Sequence, residues 1–557
     1  MCSIALRITN YQSTSRSTQS AAGIHMTKEK YNRVAPATLK SWLHDKKEIA
    51  LLDIREHGQY GEEHLFYVVS TPYSKLEPEV QRLVPRKTVR LVLVGDDANE
   101  LTARAAQRLV QLGYTDLYLL DGGIAQWKTS GYQVFAGVNL PSKAFGELAE
   151  HAFQTPRITA QALNAKIAEH EDIVILDGRP YSEYRKMSIP TAACCPNGEL
   201  PLRIDDLVVR PETTIVINCA GRTRSIIGAQ TLINLGVKNK VLALENGTQG
   251  WYLADLKLDH GATRKYSETV NEKNLTTQQQ RAKALAEKHN VTFVDGATVA
   301  RWLKDTGRTT FLCDVRSPEE FAVGTIPGAQ HTPGGQLVQA TDQFVGVRGA
   351  RLVVFDNENV RAPAMASWLA MMGWEVAVLT NAFTYQWEIN ATPHSSEHLS
   401  YPQTATAISS EQLKHVNTST RCCVDVRTST KYREAHLKGF AWSIRPRLKQ
   451  LPAVKGAHVI VVADDLTMAQ LAALELSEAG ASQIQINIDT VQQWRAAGLE
   501  ITTSPTCPTD QDSIDYLFFV HDRHEGNRAA AMRYLEWEIN LLNQIDEQER
   551  QSYQLPH

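Results

Sequence analysis

The sequence lacks the features of a membrane-spanning chain and of a disulfide-rich protein. Its 557 residues contain no unbroken apolar run near the roughly 18 residues that cross a bilayer as a helix. The eight cysteines show neither the paired C-x2-C spacing of a metal site nor a dense disulfide pattern, so we expect no metal and a reducing compartment such as the cytoplasm. A formal net charge of −3 provides no broad basic surface, so neither nucleic acid nor a membrane is an expected partner.

The N-terminal segment is also unusual, because its first 25 residues contain neither Asp nor Glu. With Arg7, Arg16 and many Ser and Thr residues, it has the composition of an organelle transit peptide. A second interpretation is a start site placed too early, since Met26 leads directly into the first domain-like segment. Both interpretations stay open, and either sets residues 1–26 apart from the folded domains.

One cysteine, Cys219, lies in a distinctive local sequence. It follows the apolar stretch 215–218 and opens the run Cys219-Ala220-Gly221-Arg222-Thr223-Arg224-Ser225, after which the sequence is helix-like. This pattern predicts a strand, a tight cationic loop and the start of a helix. Backbone N–H groups at a helix N-terminus, together with two guanidinium groups, would favour the thiolate form and attract anions. The sequence therefore predicts a nucleophile with its own anion-binding site, and a small buried cysteine is the alternative.

The same pattern occurs four times, as degenerate repeats. Each copy has an apolar run that ends in Asp-x-Arg, then a second apolar run, a polar loop and a helix that ends at a glycine. The Asp-x-Arg motifs are Asp53–Arg55, Asp177–Arg179, Asp314–Arg316 and Asp425–Arg427. At one fixed spacing before the four glycines stand Asp96, Cys219, Asp356 and Ala463, and a tryptophan follows each at a nearly constant distance. Only the second repeat has a thiol at this position.

Together, the Asp-x-Arg motif, the Cys-x4-Arg loop and the segment Asn246-Gly247-Thr248-Gln249-Gly250-Trp251 resemble the rhodanese family of sulfurtransferases. The resemblance implies an α/β fold of four tandem rhodanese-like domains, each a parallel sheet flanked by helices, with a C-terminal helical tail. The alternation of short apolar runs and helical stretches agrees with such a fold. The predicted boundaries are 27–137, 152–260, 291–396 and 404–504 for the domains, 261–290 for a partly helical connector that divides them into two pairs, and 505–557 for the tail.

The resemblance also implies sulfur transfer by double displacement, with Cys219 as the carrier. Its thiolate would take the outer sulfur of a donor such as thiosulfate and pass it, as a persulfide, to a thiol or cyanide, with no cofactor. Loop amides would stabilise the sulfur, while Arg222 and Arg224 would hold the donor oxygens. Ser225 would either hydrogen-bond the sulfur or cap the helix. The predicted donor-binding loop is Ala220, Gly221, Arg222, Thr223, Arg224 and Ser225.

Four residues around this loop are predicted to support it: Asp177, Arg179, Gly247 and Trp251. Because the Asp-x-Arg pair recurs in the repeats that lack the thiol, an ion pair that braces the loop is favoured over a catalytic role. Asp96 and Asp356 cannot carry sulfur and would repel anionic donors, so their repeats are predicted to be inert. The neighbouring Cys194 and Cys195 are interpreted as packing residues rather than resolving thiols.

Two other functions compete with sulfur transfer: phosphate-ester hydrolysis and non-catalytic binding. A cysteine-based phosphatase needs a Cys-x5-Arg loop, one residue longer than the loop found here. A non-catalytic binding or persulfide-relay scaffold stays open, because three of the four repeats lack the thiol.

The tail places Leu535, Ile539, Leu542 and Ile545 on one helix face, which would pack on its own domains or form a homodimer contact. The sequence leaves that choice open.

Overall fold

The structure is a computed structural model of the chain, and it describes residues 30–96, 100–388, 405–451, 454–521 and 527–556. The extension predicted at residues 1–26 lies outside them. Contacts divide the chain into two compact units, of which the larger holds residues 33–400 and 517–557 and the smaller holds the fourth repeat, residues 401–516. Within the described residues, no helix combines the length and the apolar character needed to span a membrane.

The first two repeats alternate strands and helices along the chain. The first contains β1 (Asn32–Val34), α1 (Pro36–Trp42), β2 (Ile49–Asp53), α2 (His57–Glu62), β3 (Val69–Ser70), α3 (Leu76–Leu83), β4 (Arg90–Val94), α4 (Glu100–Gln111), β5 (Leu117–Leu120) and α5 (Gly123–Thr129). Helix α6 (Leu140–Phe153) follows. The second contains β6 (Arg157–Ile158), α7 (Ala160–Ala168), β7 (Ile173–Asp177), α8 (Tyr181–Lys186), β8 (Ala193–Cys194), α9 (Leu200–Leu207), β9 (Thr214–Asn218), α10 (Thr223–Asn234), β10 (Val241–Leu244) and α11 (Gly247–Leu253).

The remaining elements follow the connector helix α12 (Glu272–Lys288). The third repeat contains β11 (Thr292–Val294), α13 (Gly296–Leu303), β12 (Thr310–Asp314), α14 (Pro318–Val323), β13 (Gln330–His331), α15 (Gly334–Gln339), β14 (Val347–Arg348), β15 (Arg351–Phe355), α16 (Arg361–Met371) and β16 (Glu375–Leu379). The fourth contains β17 (Ala405–Ala407), α17 (Ser410–Leu413), β18 (Cys422–Asp425), α18 (Ser429–Glu434), β19 (His436–Leu437), β20 (Ala441–Trp442), β21 (His458–Val462), α19 (Leu466–Glu478), β22 (Gln483–Asn487), α20 (Val491–Ala496) and β23 (Ile501–Thr502). The tail contains α21 (Phe518–His521), α22 (Arg528–Asn540) and α23 (Glu547–Arg550).

Each repeat builds a sheet with the same strand order. The order is β6-β10-β9-β7-β8 in the second repeat, β11-β16-β15-β12-β13 in the third, β17-β22-β21-β18-β20 in the fourth and β1-β5-β4-β2 in the first, where β3 also pairs with β2. The central strands run parallel, with Asp177 opposite Asn218 in the second repeat. They are short and apolar because helices cover both faces of the sheet. The predicted α/β class is confirmed, and Cys219 lies at the carboxyl end of its sheet, where such folds place their ligands.

The connector helix α12 binds the second and third repeats together. Its Ala282 and Leu285 are buried against residues of both repeats. The Gln278 carboxamide donates a hydrogen bond to the Leu202 carbonyl at 3.1 Å, and that of Gln279 donates to the Glu358 carbonyl at 2.8 Å. The sequence analysis expected this segment to divide two pairs of repeats. The structure instead groups the first three repeats in one unit, because α12 buries its apolar face between its neighbours.

The tail packs on the first two repeats of its own chain. Leu541 and Ile545 lie in a buried cluster with Phe66, Phe135 and Leu140. Of the face predicted from the sequence, Ile539 is half exposed. Leu535 of that face is buried, on the side of α22 that also includes Tyr534 and Glu538.

Candidate active site

Cys219 lies in the turn between β9 and α10, and only 2% of the residue is exposed. Its carbonyl oxygen accepts a hydrogen bond from the Thr248 N–H at 2.8 Å, and the Ala220 carbonyl accepts one from the Gln249 N–H at 3.1 Å. Gly247 permits this contact, because its φ is +53° and a Cβ there would stand 2.7 Å from the Cys219 carbonyl carbon. The start of α11 therefore supports the loop through backbone contacts that only a glycine allows.

The third repeat shows what this type of loop binds. Asp356 occupies the position of Cys219, and its carboxylate accepts hydrogen bonds from the N–H groups of Val360 and Arg361 at 3.1 Å and of Ala362 at 3.3 Å. The loop is thus an anion cradle, which in this repeat is filled by its own side chain. The sequence predicts that Asp356 repels anionic donors, and in the structure its carboxylate also occupies the loop amides.

Arg222 faces away from the loop, toward helix α6. Its guanidinium donates to the Glu147 carboxylate at 2.8 and 2.9 Å and also to the Glu150 carboxylate. Burial opposes the guanidinium charge, but these carboxylates outweigh it and the pKa of Arg222 is raised. The sequence analysis expected Arg222 to hold donor oxygens. In the structure it anchors the loop to α6 instead, because two carboxylates of that helix face it.

Arg224 forms a fork-to-fork ion pair with Glu183 of α8, with both N–O distances at 2.8 Å. One terminal nitrogen also donates to the Gln336 carboxamide oxygen of the third repeat at 3.3 Å. The residue is buried, and electrostatic attraction to Glu183, Cys219 and Asp177 outweighs the cost of burial and raises its pKa. Of the two loop arginines, only Arg224 has an attraction to Cys219 among the causes of its raised pKa.

Helix α6 adds a buried carboxyl group to the back of the loop. Burial, together with the neighbouring Glu538 and Glu150, raises the pKa of Glu147 from 4.5 to about 7, because its ion pair with Arg222 offsets only part of their effect. The sequence did not predict Glu147 and Glu150 as site residues, because residues 138–151 were assigned to no domain. Their only sequence signal is the helical spacing of Lys143, Glu147 and Glu150.

The raised pKa of Glu147 predicts a pH-dependent stability. The folded state holds this proton more tightly than the unfolded chain, so the carboxyl's contribution to stability falls as pH rises from about 4.5 to 7. We expect Glu147→Gln, which cannot ionise, to gain stability relative to wild type across that window, by up to about 3 kcal/mol. Urea denaturation of both proteins at pH 5 and pH 8 measures this. A difference that does not change with pH would contradict the assignment.

The tail contributes a carboxylate to the same loop. Glu538 of α22 accepts hydrogen bonds from the Thr223 hydroxyl at 3.1 Å and from the Lys143 ammonium at 2.8 Å. Its second oxygen is 3.1 Å from where a Cβ on Gly221 would lie. The sequence analysis assigned no site residue to the tail. The only signal is a glutamate placed beside Tyr534 and Leu535 on the apolar side of this helix.

The Asp-x-Arg pair makes the same contacts in every repeat. The Arg179 guanidinium donates to the Asp177 carboxylate at 2.8 and 2.7 Å and to the Met187 carbonyl at 2.6 Å, while Asn218 donates to Asp177 at 2.9 Å. Arg55, Arg316 and Arg427 make the same ion pair and reach the carbonyls of Glu63, Gly324 and Ala435. The same contacts occur in the repeats without a thiol, so they belong to the shared fold, and the bracing of the loop stays a prediction.

The other predicted residues are buried around the loop. Trp251 is a core residue whose indole N–H donates to the Lys257 carbonyl at 2.9 Å. Burial raises the pKa of the Cys194 thiol to about 12, and Cys195 is buried beside it. The Ser225 hydroxyl is buried and has no hydrogen-bond partner among the described residues, so it does not cap the helix there. The Ser225 O–H can therefore donate a hydrogen bond to a group that binds at the loop.

The fold and this loop define a class of protein, one built from α/β repeats in which the loop between a strand and a helix can hold a thiol. The Rhodanese-like domain family matches residues 35–130, 159–254 and 296–388, which are the first three repeats. The chain therefore belongs to the rhodanese family, as its resemblance implied. The fourth repeat has the same strand order.

Individual relatives agree with this assignment. The crystal structure of a thiosulfate sulfurtransferase from Pseudomonas aeruginosa is 37% identical, with a TM-score of 0.85, and the similarity covers 94% of this chain and 99% of that one. The thiosulfate sulfurtransferase GlpE of Coxiella burnetii is 29% identical over 91 residues, which are 16% of this chain and 82% of GlpE. A Bacillus subtilis protein named as a sulfur carrier, YrkF, is 33% identical over 102 residues, and this chain spans only 54% of its length and 18% of its own.

Proposed function

We propose that this chain moves a sulfane sulfur from thiosulfate, or a donor of the same kind, to a thiol or cyanide through a persulfide on Cys219. One observation carries the proposal. The loop of the third repeat holds an anionic side chain with three backbone N–H groups at the position where the second repeat has Cys219. The same kind of loop around a thiol would stabilise a thiolate or the terminal sulfur of a persulfide.

The proposed reaction has two balanced steps. The Cys219 thiolate attacks the outer sulfur of thiosulfate, the sulfur–sulfur bond of the donor breaks, and sulfite leaves with the electron pair. A thiolate or cyanide then attacks the terminal sulfur of the Cys219 persulfide, and Cys219 leaves as the thiolate. Because the sulfane sulfur passes between nucleophiles, the cycle consumes no external oxidant or reductant.

Each loop residue would have its own role in these two steps. The N–H groups of Thr223 and Arg224 begin α10, so they have no acceptor inside their helix and would face the sulfur. The Arg224 guanidinium would balance the negative charge on the thiolate and on the departing sulfite. The Ser225 hydroxyl, which has no partner among the described residues, would donate to the sulfur.

Intact-protein mass spectrometry before and after incubation with thiosulfate tests the proposal. We expect wild type to gain one sulfur, about 32 Da, to release sulfite, and to lose the added mass on treatment with cyanide or a thiol. Cys219→Ser should do none of these. Cys507→Ser is a matched control, because this half-buried cysteine belongs to the smaller unit. If Cys507→Ser loses the gain instead, or if wild type gains no sulfur from any sulfane donor, the binding-scaffold interpretation replaces this one.

A further inference from the structure

The second and third repeats meet through equivalent residues. Gly198 and Gly335 hold the same position in their repeats, and a Cβ on Gly198 would stand 2.8 Å from the Gly335 backbone nitrogen. Thr231 and Trp368 are likewise equivalent, and the Trp368 indole N–H donates to the Thr231 hydroxyl at 2.8 Å. Contacts between equivalent residues are the mark of a local two-fold axis. This axis relates the loop with the thiol to the loop without one.

Across this axis, each loop arginine reaches one residue of the other repeat. Arg224 donates to Gln336 at 3.3 Å, and its counterpart Arg361 donates to Glu199 at 2.9 Å. Gln336 and Glu199 hold the same position in their repeats. Each arginine also pairs with a glutamate of its own repeat, which is Glu183 for Arg224 and Glu320 for Arg361. The two arrangements differ in the residue that accepts the hydrogen bond from the other repeat. Gln336 offers a neutral carboxamide to Arg224, whereas Glu199 offers a carboxylate to Arg361.

This difference changes the charge around the two guanidinium groups. Arg361 is fully buried and pairs with four carboxylates, those of Glu199, Glu320, Glu358 and Asp356. Among the described residues, Arg224 forms a direct ion pair with Glu183 alone, while Asp177, which also attracts it, is paired with Arg179. Gln336 holds Arg224 by a carbonyl oxygen without cancelling its charge. The positive charge of Arg224 therefore remains available to a sulfur anion on Cys219.

We propose that Gln336, on a repeat that has no thiol of its own, is a positioning residue for sulfur transfer at Cys219. It orients the Arg224 guanidinium across the two-fold axis, and its neutrality preserves the positive charge beside the sulfur. The catalytic consequence rests on the function proposed above, whereas the effect on the reactivity of Cys219 does not. The third repeat then serves the reaction of the second, although it cannot carry sulfur itself.

Three variants of the full chain test this inference. We expect Gln336→Glu to raise the pH of half-maximal Cys219 alkylation by about 0.5–1 unit, because the new carboxylate competes for Arg224. Sulfite release from thiosulfate at neutral pH should slow by about 3- to 10-fold. Gln336→Met removes the hydrogen bond but adds no charge, so it should raise the KM for thiosulfate with little change in the alkylation midpoint. Gln343→Glu adds the same charge at an exposed position of the third repeat and should change neither.

The readouts distinguish an effect of Gln336 on the reactivity of Cys219 from an effect on stability alone. Alkylation is followed on the Cys219 peptide by mass spectrometry, and the pH profile of sulfite release gives the same midpoint without an alkylating reagent. A purely structural role would lower the melting temperature of Gln336→Glu without moving the midpoint, and that result would overturn the inference. An equal shift in Gln343→Glu would overturn it as well. If wild type takes no sulfur from any donor, the proposed function fails, while the alkylation midpoints still decide the role of Gln336.

Discussion

Gly247→Ala is expected to slow sulfur loading on Cys219 by roughly 100-fold while the chain stays folded. The new methyl group would overlap the Cys219 carbonyl, and φ of +53° is strained for any residue with a Cβ. The loop must therefore move away from α11 and lose the hydrogen bonds that Thr248 and Gln249 donate to it. A displacement near 1 Å at a reacting group costs roughly 100-fold in rate. Single-turnover sulfite release with thiosulfate measures the loss.

The first repeat offers a matched control for this substitution. Gly123 has φ of +58°, and a Cβ there would stand 2.7 Å from the carbonyl oxygen of Asp96, the residue at the cysteine position. Gly123→Ala thus introduces a similar clash beside a loop without a thiol. We expect the two variants to lose similar stability, by thermal denaturation, and only Gly247→Ala to lose sulfur loading. Equal loss of loading in both would show a global effect instead.

Much of the fold was predictable, because the signals are local. Strands such as β9 and β15 are short apolar runs, and such runs indicate sheets that are covered on both faces. Asp177 and Arg179 are two residues apart, so their ion pair needs no long-range information. The strand, loop and helix start around Cys219 are also contiguous. Spacing therefore identified the four repeats and the position of Cys219, and the resemblance to the rhodanese family implied a sheet in each repeat.

The surroundings of the loop were not predictable in this way. The partners of its arginines come from three places, which are Glu147 on α6, Glu183 on α8 and Gln336 on the third repeat. Pairing between repeats depends on how two folded surfaces meet, and the spacing inside one repeat does not encode that. For this reason, the sequence analysis treated Arg222 as free to bind a donor, while the structure shows it anchored to α6.

Asp356 also shows which properties of a loop can be predicted from the sequence and which cannot. Its sequence position shows that the third repeat lacks a sulfur carrier, and this much could be predicted. That the carboxylate satisfies three loop amides follows only from the backbone geometry. Together with the contact between Gln336 and Arg224, it indicates that a repeat without the thiol keeps the loop and contacts the loop of the repeat that has one.

The second large effect is expected where the tail meets the Cys219 loop. Lys143 and Glu538 form an ion pair at 2.8 Å whose side chains are only 6% and 1% exposed. Removing one partner of such a pair leaves the other charge buried, which costs about 3–5 kcal/mol. We expect Glu538→Leu and Lys143→Met each to lower stability by about that amount. The double variant should lose less than the sum, because no lone charge remains.

Sulfur loading distinguishes a role at the loop from simple attachment of the tail. Glu538→Leu also removes the acceptor of the Thr223 hydroxyl at the start of α10, so loading should slow even at temperatures where the variant is folded. The tail makes a second ion pair, between Glu549 and Lys40 of the first repeat, at 3.0 Å. Glu549→Gln weakens tail attachment away from the loop and should leave loading unchanged. Additive stability losses in the double variant, or equal loading defects in Glu538→Leu and Glu549→Gln, would contradict this account, because both would mean that Glu538 acts only as one attachment point among several.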